Sequence, residues 1–292
     1  MKRAHSIRLP RLRKNLDLLW QVLKKFNTDN GFFLASGIAF NILLNLIPFI
    51  LLLLAVLGAY LYSDREVLDQ IRTYVRNVAP ALDPKIMESL TDVIRSRQIV
   101  GGLGFIGLLW FSTWVFGSLR IAFNSVFQVE KRRGMLRGMG IDLLMILLTG
   151  TLLLVSMILS SAVTFLQSYP GRISVAIGPT LQWILKYLLP FFLTYFIFFL
   201  IYIIIPNNRI HIKSALQTAL FTGLLWESAK HLFGWYIIHL AEYSVFYGSL
   251  STLVIFVLWI YYSSIILVLG AEVAFFLEDR RQDEIGKEKK VL

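Results

Sequence analysis

Glu227, Lys230 and His231 stand at i, i+3 and i+4 in the stretch ALQTALFTGLLWESAKHLFGWYIIHL, residues 215–240. On a helix the three share one face. A carboxylate, an ammonium and an imidazole at that spacing could hold an ion or pass a proton, with His231 or Glu227 changing protonation. The stretch is also long enough to cross a bilayer, at roughly 20 residues per crossing. Ionisable groups at that depth are costly and turn toward partners or water. Two readings follow. In one, the cluster lines a substrate or ion path. In the other, Glu227 and Lys230 neutralise each other and only hold the bundle together. His239, nearer the outer end, reads as interfacial.

Two smaller polar sets accompany this one. Asn41, Asn45 and Pro48 fall at i, i+4 and i+7 and make a narrow stripe on one helix face. Such a stripe serves either as glue between helices or as part of a path. Arg120 and Glu272 lie at similar predicted depths near one membrane face, which makes them a candidate ion pair. The four histidines, His5, His211, His231 and His239, form no HxH or HExxH arrangement. A metal-dependent nuclease needs clustered His, Asp and Glu ligands on a water-accessible scaffold, and nothing here resembles one. GGLGFIG at 101–107 is no phosphate loop, since no Lys-Ser/Thr follows it. No catalytic, cofactor or metal constellation is therefore expected, and no enzymatic activity.

These residues must be positioned by membrane helices. The chain is 57% hydrophobic and 16% charged, with mean hydropathy +0.66; soluble domains are about 25% charged. The excess is gathered into apolar runs, which predicts an all-α, polytopic membrane protein with six crossings at about 36–62, 101–126, 141–166, 181–205, 215–240 and 250–277. The strict alternation of an outer-membrane barrel is absent. Pro48 and Pro190 are expected to kink the first and fourth crossings. Gly101, Gly104 and Gly107 allow another helix to approach closely.

Residues 1–35 are basic, and Leu12, Leu16, Leu19, Leu23 and Phe26 repeat at helical spacing. This amphipathic helix lies on the membrane surface or packs on the bundle. Residues 63–100 carry two further amphipathic patterns and form an external helical loop. The tail, 278–292, is charged and expected to fray. The first apolar run begins too late for a cleaved signal peptide.

The N-terminus, the 2–3 and 4–5 loops and the tail hold 19 Lys and Arg; the other three loops hold 7. The positive-inside rule then places both termini in the cytoplasm. The formal net charge of +11 is explained by this asymmetry. The partners it implies are membrane lipids, with anionic headgroups at the cytoplasmic face, and not nucleic acid. The absence of cysteine excludes disulfides and thiol chemistry.

Three segments resemble the YihY/BrkB family of bacterial inner-membrane proteins: LASGIAFNILLNLIPFILLLLAVLG in the first crossing, GGLGFIGLLWFSTWVFGSLRIAFNSVF around the second, and YGSLSTLVIFVLWIYYSSIILVLGAEVAFFLE at the end. The resemblance runs from about Phe26 to Glu278. It departs at Ser214-Ala215, where Gly-Ala is common in the family. It implies a six-helix plasma-membrane protein. An older label of ribonuclease BN, generally treated as a misassignment, attaches to the family; so do a virulence-related name and links with lipid or lipopolysaccharide-precursor export. Together these lead us to expect a permease-like protein or one that handles lipids or envelope precursors. The alternative is a non-transporting membrane scaffold or envelope-organising protein.

Overall fold

The computed structural model describes residues 9–61, 96–129, 135–167, 188–240 and 249–291. They form seven helices and no strand: α1 Leu9–Thr28, α2 Gly31–Leu61, α3 Arg97–Val126, α4 Met135–Gln167, α5 Leu189–Ile204, α6 Ile212–Leu240 and α7 Ser249–Val291. The expected all-helical class holds. Gly31–Val56, Gln98–Val126 and Leu253–Asp283 are long and apolar enough to cross a membrane. Gly138–Leu152 and Leu189–Ile204 are shorter apolar helical stretches. Helix α6 has 29 residues, but Gln217, Glu227, Lys230 and His231 dilute its apolar character. Three of the six expected crossings thus meet the criterion among the described residues.

Several local expectations change. The external helical loop falls almost wholly on residues 62–95, outside the described residues. The charged tail does not fray at Leu277: α7 continues as helix to Val291. Pro190 stands in the first turn of α5, where a missing N–H costs no intrahelical bond, so it does not kink the described helix. Pro48 lies inside α2, which stays continuous around it.

Two residues with positive φ shape the connections. Asn30, φ 55°, separates α1 from α2. Gln128, φ 52°, ends α3. There the amide of Val129 donates to Asn124 O at 3.0 Å and that of Gln128 to Ser125 O at 3.1 Å, the paired bonds of a Schellman cap.

The helices divide between two compact units, residues 41–115 and residues 1–40 with 116–292. In the smaller unit α2 and α3 run antiparallel. A Cβ on Gly104 would lie 2.9 Å from Leu52 N, and one on Gly107 3.1 Å from the Pro48 side chain. The glycines therefore permit the close approach expected of them. Asn45 Nδ2 donates to Ser112 Oγ across the same seam at 3.2 Å.

In the larger unit α6 packs against both α5 and α7, α1 against α7, and α4 against α5. The packed face of α6 is small: Ala215, Thr218, Ala219 and Thr222 are buried. Tyr202 Oη lies 3.1 Å from Thr222 Oγ1 and donates to Leu267 O at 3.0 Å. This joins α5, α6 and α7 at a point where Gly270 leaves room for the phenol. Phe123 of α3 stacks on the Tyr202 ring at 5.5 Å.

Candidate functional site

The polar groups of the larger unit collect where α1, α3 and α5 end, α2, α4 and α6 begin, and α7 leaves its apolar stretch. Glu278 reaches the first turn of α6. One carboxylate oxygen accepts from His211 N at 3.1 Å and Ser214 Oγ at 2.9 Å. A carboxylate at a helix N-terminus satisfies open N–H groups and opposes the helix dipole.

Lys25, near the end of α1, joins three helices. Its Nζ donates to Glu272 Oε2 at 2.9 Å, to Val126 O at 2.8 Å, and to Asp29. It also lies 4.2 Å from the Phe275 ring centroid, within cation–π range. The Glu272 side chain is 0% exposed, and its Oε1 has no partner among the described residues. Val22 and Phe26 are buried beside Lys25, whereas Leu19, Trp20 and Leu23 face outward. The end of α1 therefore packs on the bundle while its other apolar face stays open.

Arg120 Nη1 donates to Asp142 Oδ1 at 2.8 Å, linking α3 to α4. Its guanidinium passes over Gly138, where a Cβ would sit 2.8 Å from Nη1. One turn along α3, Asn124 Oδ1 accepts from Asn207 N at 2.9 Å. Arg120, Asn124, Ser125 and Asn207 line a pocket of about 340 Å³, with Leu34, Ile121 and Val129 as its apolar wall. Asn207 Oδ1 is buried without a hydrogen-bond partner among the described residues. Such an orphan costs about 1–3 kcal/mol. The pocket thus offers the Arg120 guanidinium and the exposed Ser125, while Asn207 Oδ1 is shut off from it. That arrangement can orient a small polar group, and its described lining residues include no nucleophile–base pair. Among the described residues no three His, Asp or Glu side chains could share a metal ion.

The cluster on α6 is built differently. Lys230 Nζ meets Glu227 Oε2 at 2.8 Å, and His231 Nε2 stands 3.8 Å from Glu227 Oε1. The three are brought together as their spacing predicts. They do not turn into the bundle, however: the His231 side chain is 83% exposed, on the same outward face as Leu220 and Leu224. The reason is the opposite face, where Trp226 and Phe233 pack around Trp259 at 5.4 and 4.6 Å. Asn45 Nδ2 bonds Ser112 Oγ on α3, and Asn41, one turn earlier, is half-buried.

The model of the Virulence factor BrkB family matches residues 22–291. The chain belongs to the BrkB family. A UPF0761 membrane protein of Chromohalobacter salexigens is 30% identical over 91% of this chain and 64% of its own length. One of Alkalilimnicola ehrlichii is 26% identical over 89% of this chain and 58% of its own. This BrkB-family chain thus spans about three fifths of those two relatives. A Bacillus subtilis relative bearing the name putative ribonuclease-like protein YfkH is 24% identical over 91% of this chain and 97% of its own length. No solved structure matches. Membership of the BrkB family, with three membrane-length apolar helices, makes this a membrane protein.

The expected Arg120–Glu272 pair is corrected: each finds another partner in this BrkB-family fold, Asp142 for Arg120 and Lys25 for Glu272. Depth alone leaves two cations and two carboxylates at one level, and only helix adjacency decides between the pairings. Asp142, Lys25 and Asn207 are the residues that spacing missed. Asp142 and Lys25 carried a usable signal, a charge at the mouth of an apolar run. Asn207, a neutral amide in a short loop, carried none.

Proposed function

We propose that this BrkB-family protein is a permease-like handler of a membrane lipid or lipid-linked envelope precursor, with no enzymatic step of its own. It sits in the bacterial inner membrane with six crossings and both termini in the cytoplasm. The observation that carries this reading is the pocket of Arg120, Asn124, Ser125 and Asn207 at the polar end of apolar helices. A concavity with one oriented guanidinium, walled by Ile121 and Leu34, suits an amphiphile whose polar end enters while its chains stay in the bilayer. The excess of Lys and Arg in four alternate segments supports placing that end at the cytoplasmic leaflet. The Glu227–Lys230 pair at 2.8 Å is self-satisfied and plays no part in recognition. That same pair, with the sealed Lys25–Glu272 contact, favours the second reading, a non-transporting scaffold.

Leaflet exchange in proteoliposomes separates the two. The protein is reconstituted with a fluorescent phospholipid, and a membrane-impermeant reductant bleaches the outer leaflet. Wild type is expected to expose the inner-leaflet probe to bleaching, and Ile121→Trp, which fills the pocket from its apolar wall, to slow this about tenfold. Exchange no faster than in protein-free vesicles refutes the permease reading in favour of the scaffold.

A further inference from the structure

Helix α1 divides its surface three ways. At about 100° per residue, Val22 and Phe26 lie close together on one side, and both are buried against the bundle. Leu19, Trp20 and Leu23 are exposed, Trp20 at 71%, and their mean direction is about a quarter-turn from that buried pair. Asp17, Gln21, Lys24 and Thr28 are exposed on the remaining side. A helix packed on a soluble bundle needs one apolar stripe. Helix α1 carries a second, set square to the first. A second stripe with polar residues beyond it is what a helix lying in a membrane interface requires.

The depth at which α1 docks says what covers this stripe. Lys25 Nζ meets Glu272 Oε2 at 2.9 Å and the Phe275 ring at 4.2 Å. On α7 these two residues stand six and three positions before Glu278, where the charged run opens. That is about 9 and 4.5 Å along the helix axis. An interfacial helix buries its apolar face about 5–10 Å into the headgroup–acyl boundary, and α1 is held at that depth. Its far end agrees. After the turn at Asn30, a membrane-length apolar stretch begins at Gly31, and Phe32 and Phe33 there are exposed as Trp20 is. Tryptophan is itself favoured at headgroup level.

We propose that α1 is an in-plane lipid-binding helix: Leu19, Trp20 and Leu23 enter the bilayer at the headgroup–acyl boundary, beside the bundle on which Val22, Phe26 and Lys25 dock it. The partner is membrane phospholipid, met through the upper part of its acyl chains. This role needs neither the pocket nor lipid exchange.

The chain has no cysteine, so single nitroxide labels can be read without background. Leu19→Cys, Gln21→Cys, Leu23→Cys and Lys24→Cys, all at exposed positions, are labelled in the full chain and shown to melt as the unlabelled protein does. In nanodiscs of phosphatidylethanolamine and phosphatidylglycerol, relaxation by oxygen, which concentrates in lipid, is compared with relaxation by a water-soluble nickel chelate. The oxygen-to-nickel ratio is expected to be several-fold higher at the Leu19 and Leu23 positions than at those of Gln21 and Lys24. Equal ratios at all four put the face in water and overturn the proposal. Shielding of the Leu19 and Leu23 positions from both reagents puts protein there, a second copy or another partner, and overturns it as well. Tryptophan emission gives a second measurement without labels. The Trp20 contribution, wild type minus Trp20→Phe, should be quenched by phospholipid brominated near its ester; a difference spectrum that bromine leaves unchanged overturns the assignment.

Discussion

Lys25→Met tests the packing of α1 most directly. The substitution keeps the length of the side chain and removes its charge, leaving the Glu272 carboxylate buried at 0% exposure with neither oxygen paired by a cation. Removing one partner of a buried pair costs about 3–5 kcal/mol. Val126 O also loses its donor at 2.8 Å, and Phe275 its cation. At roughly 2–4 °C per kcal/mol for a larger domain, the melting temperature in detergent should fall by about 6–20 °C. The reverse substitution should be milder. In Glu272→Gln, Lys25 keeps Asp29 and Val126 O, so the cost is nearer that of an ordinary hydrogen bond, about 0.5–1.5 kcal/mol. Combining Lys25→Met with Glu272→Gln removes the stranded charge and should recover most of the loss. The assay is a thermal melt of all four proteins in one detergent, followed by tryptophan fluorescence. A Lys25→Met loss below about 1 kcal/mol, or a double variant as unstable as the sum of the singles, would refute the reasoning.

Three further outcomes are expected. Gly138→Val places a side chain on the path of the Arg120 guanidinium, breaks its contact with Asp142 and lowers stability by about 1–3 kcal/mol, measured by the same melt. Gly270→Ala overlaps Tyr202 Oη and Thr222 Oγ1 and should abolish detergent-stable protein on size-exclusion chromatography; Tyr202→Phe, which loses only the hydrogen bonds, should cost about 1 kcal/mol. Glu227→Gln should leave leaflet exchange unchanged, because Glu227 pairs with Lys230 outside the pocket; a folded Glu227→Gln protein without exchange would return α6 to the candidate site.

The comparison of spacing with structure is instructive at particular residues. Helical class and glycine contacts were legible because period and residue size are local properties. Gly104 had to meet a backbone somewhere, and it meets that of Leu52. The α6 cluster was legible as a pair but not in its direction. Glu227 and Lys230 find each other through the helix itself, whereas the outward turn depends on Trp259, a residue of α7. The α1 periodicity left surface and bundle open because both bury one stripe. Among the described side chains of α1, Val22, off the leucine repeat, is buried along with Phe26. The pocket was least legible, since it joins the end of α3 to an amide 83 residues away.

The Lys25–Glu272 contact spans 247 residues, which constrains the order of assembly. At a synthesis rate of about 5–20 residues per second, Lys25 is added to the chain roughly 12–50 seconds before Glu272. During that interval α1 has no carboxylate on α7 to hold it. Until then Lys25 has Asp29 beside it and, once α3 is made, Val126 O as its partners. The contact of the first helix with the last therefore forms only after every intervening helix has been made.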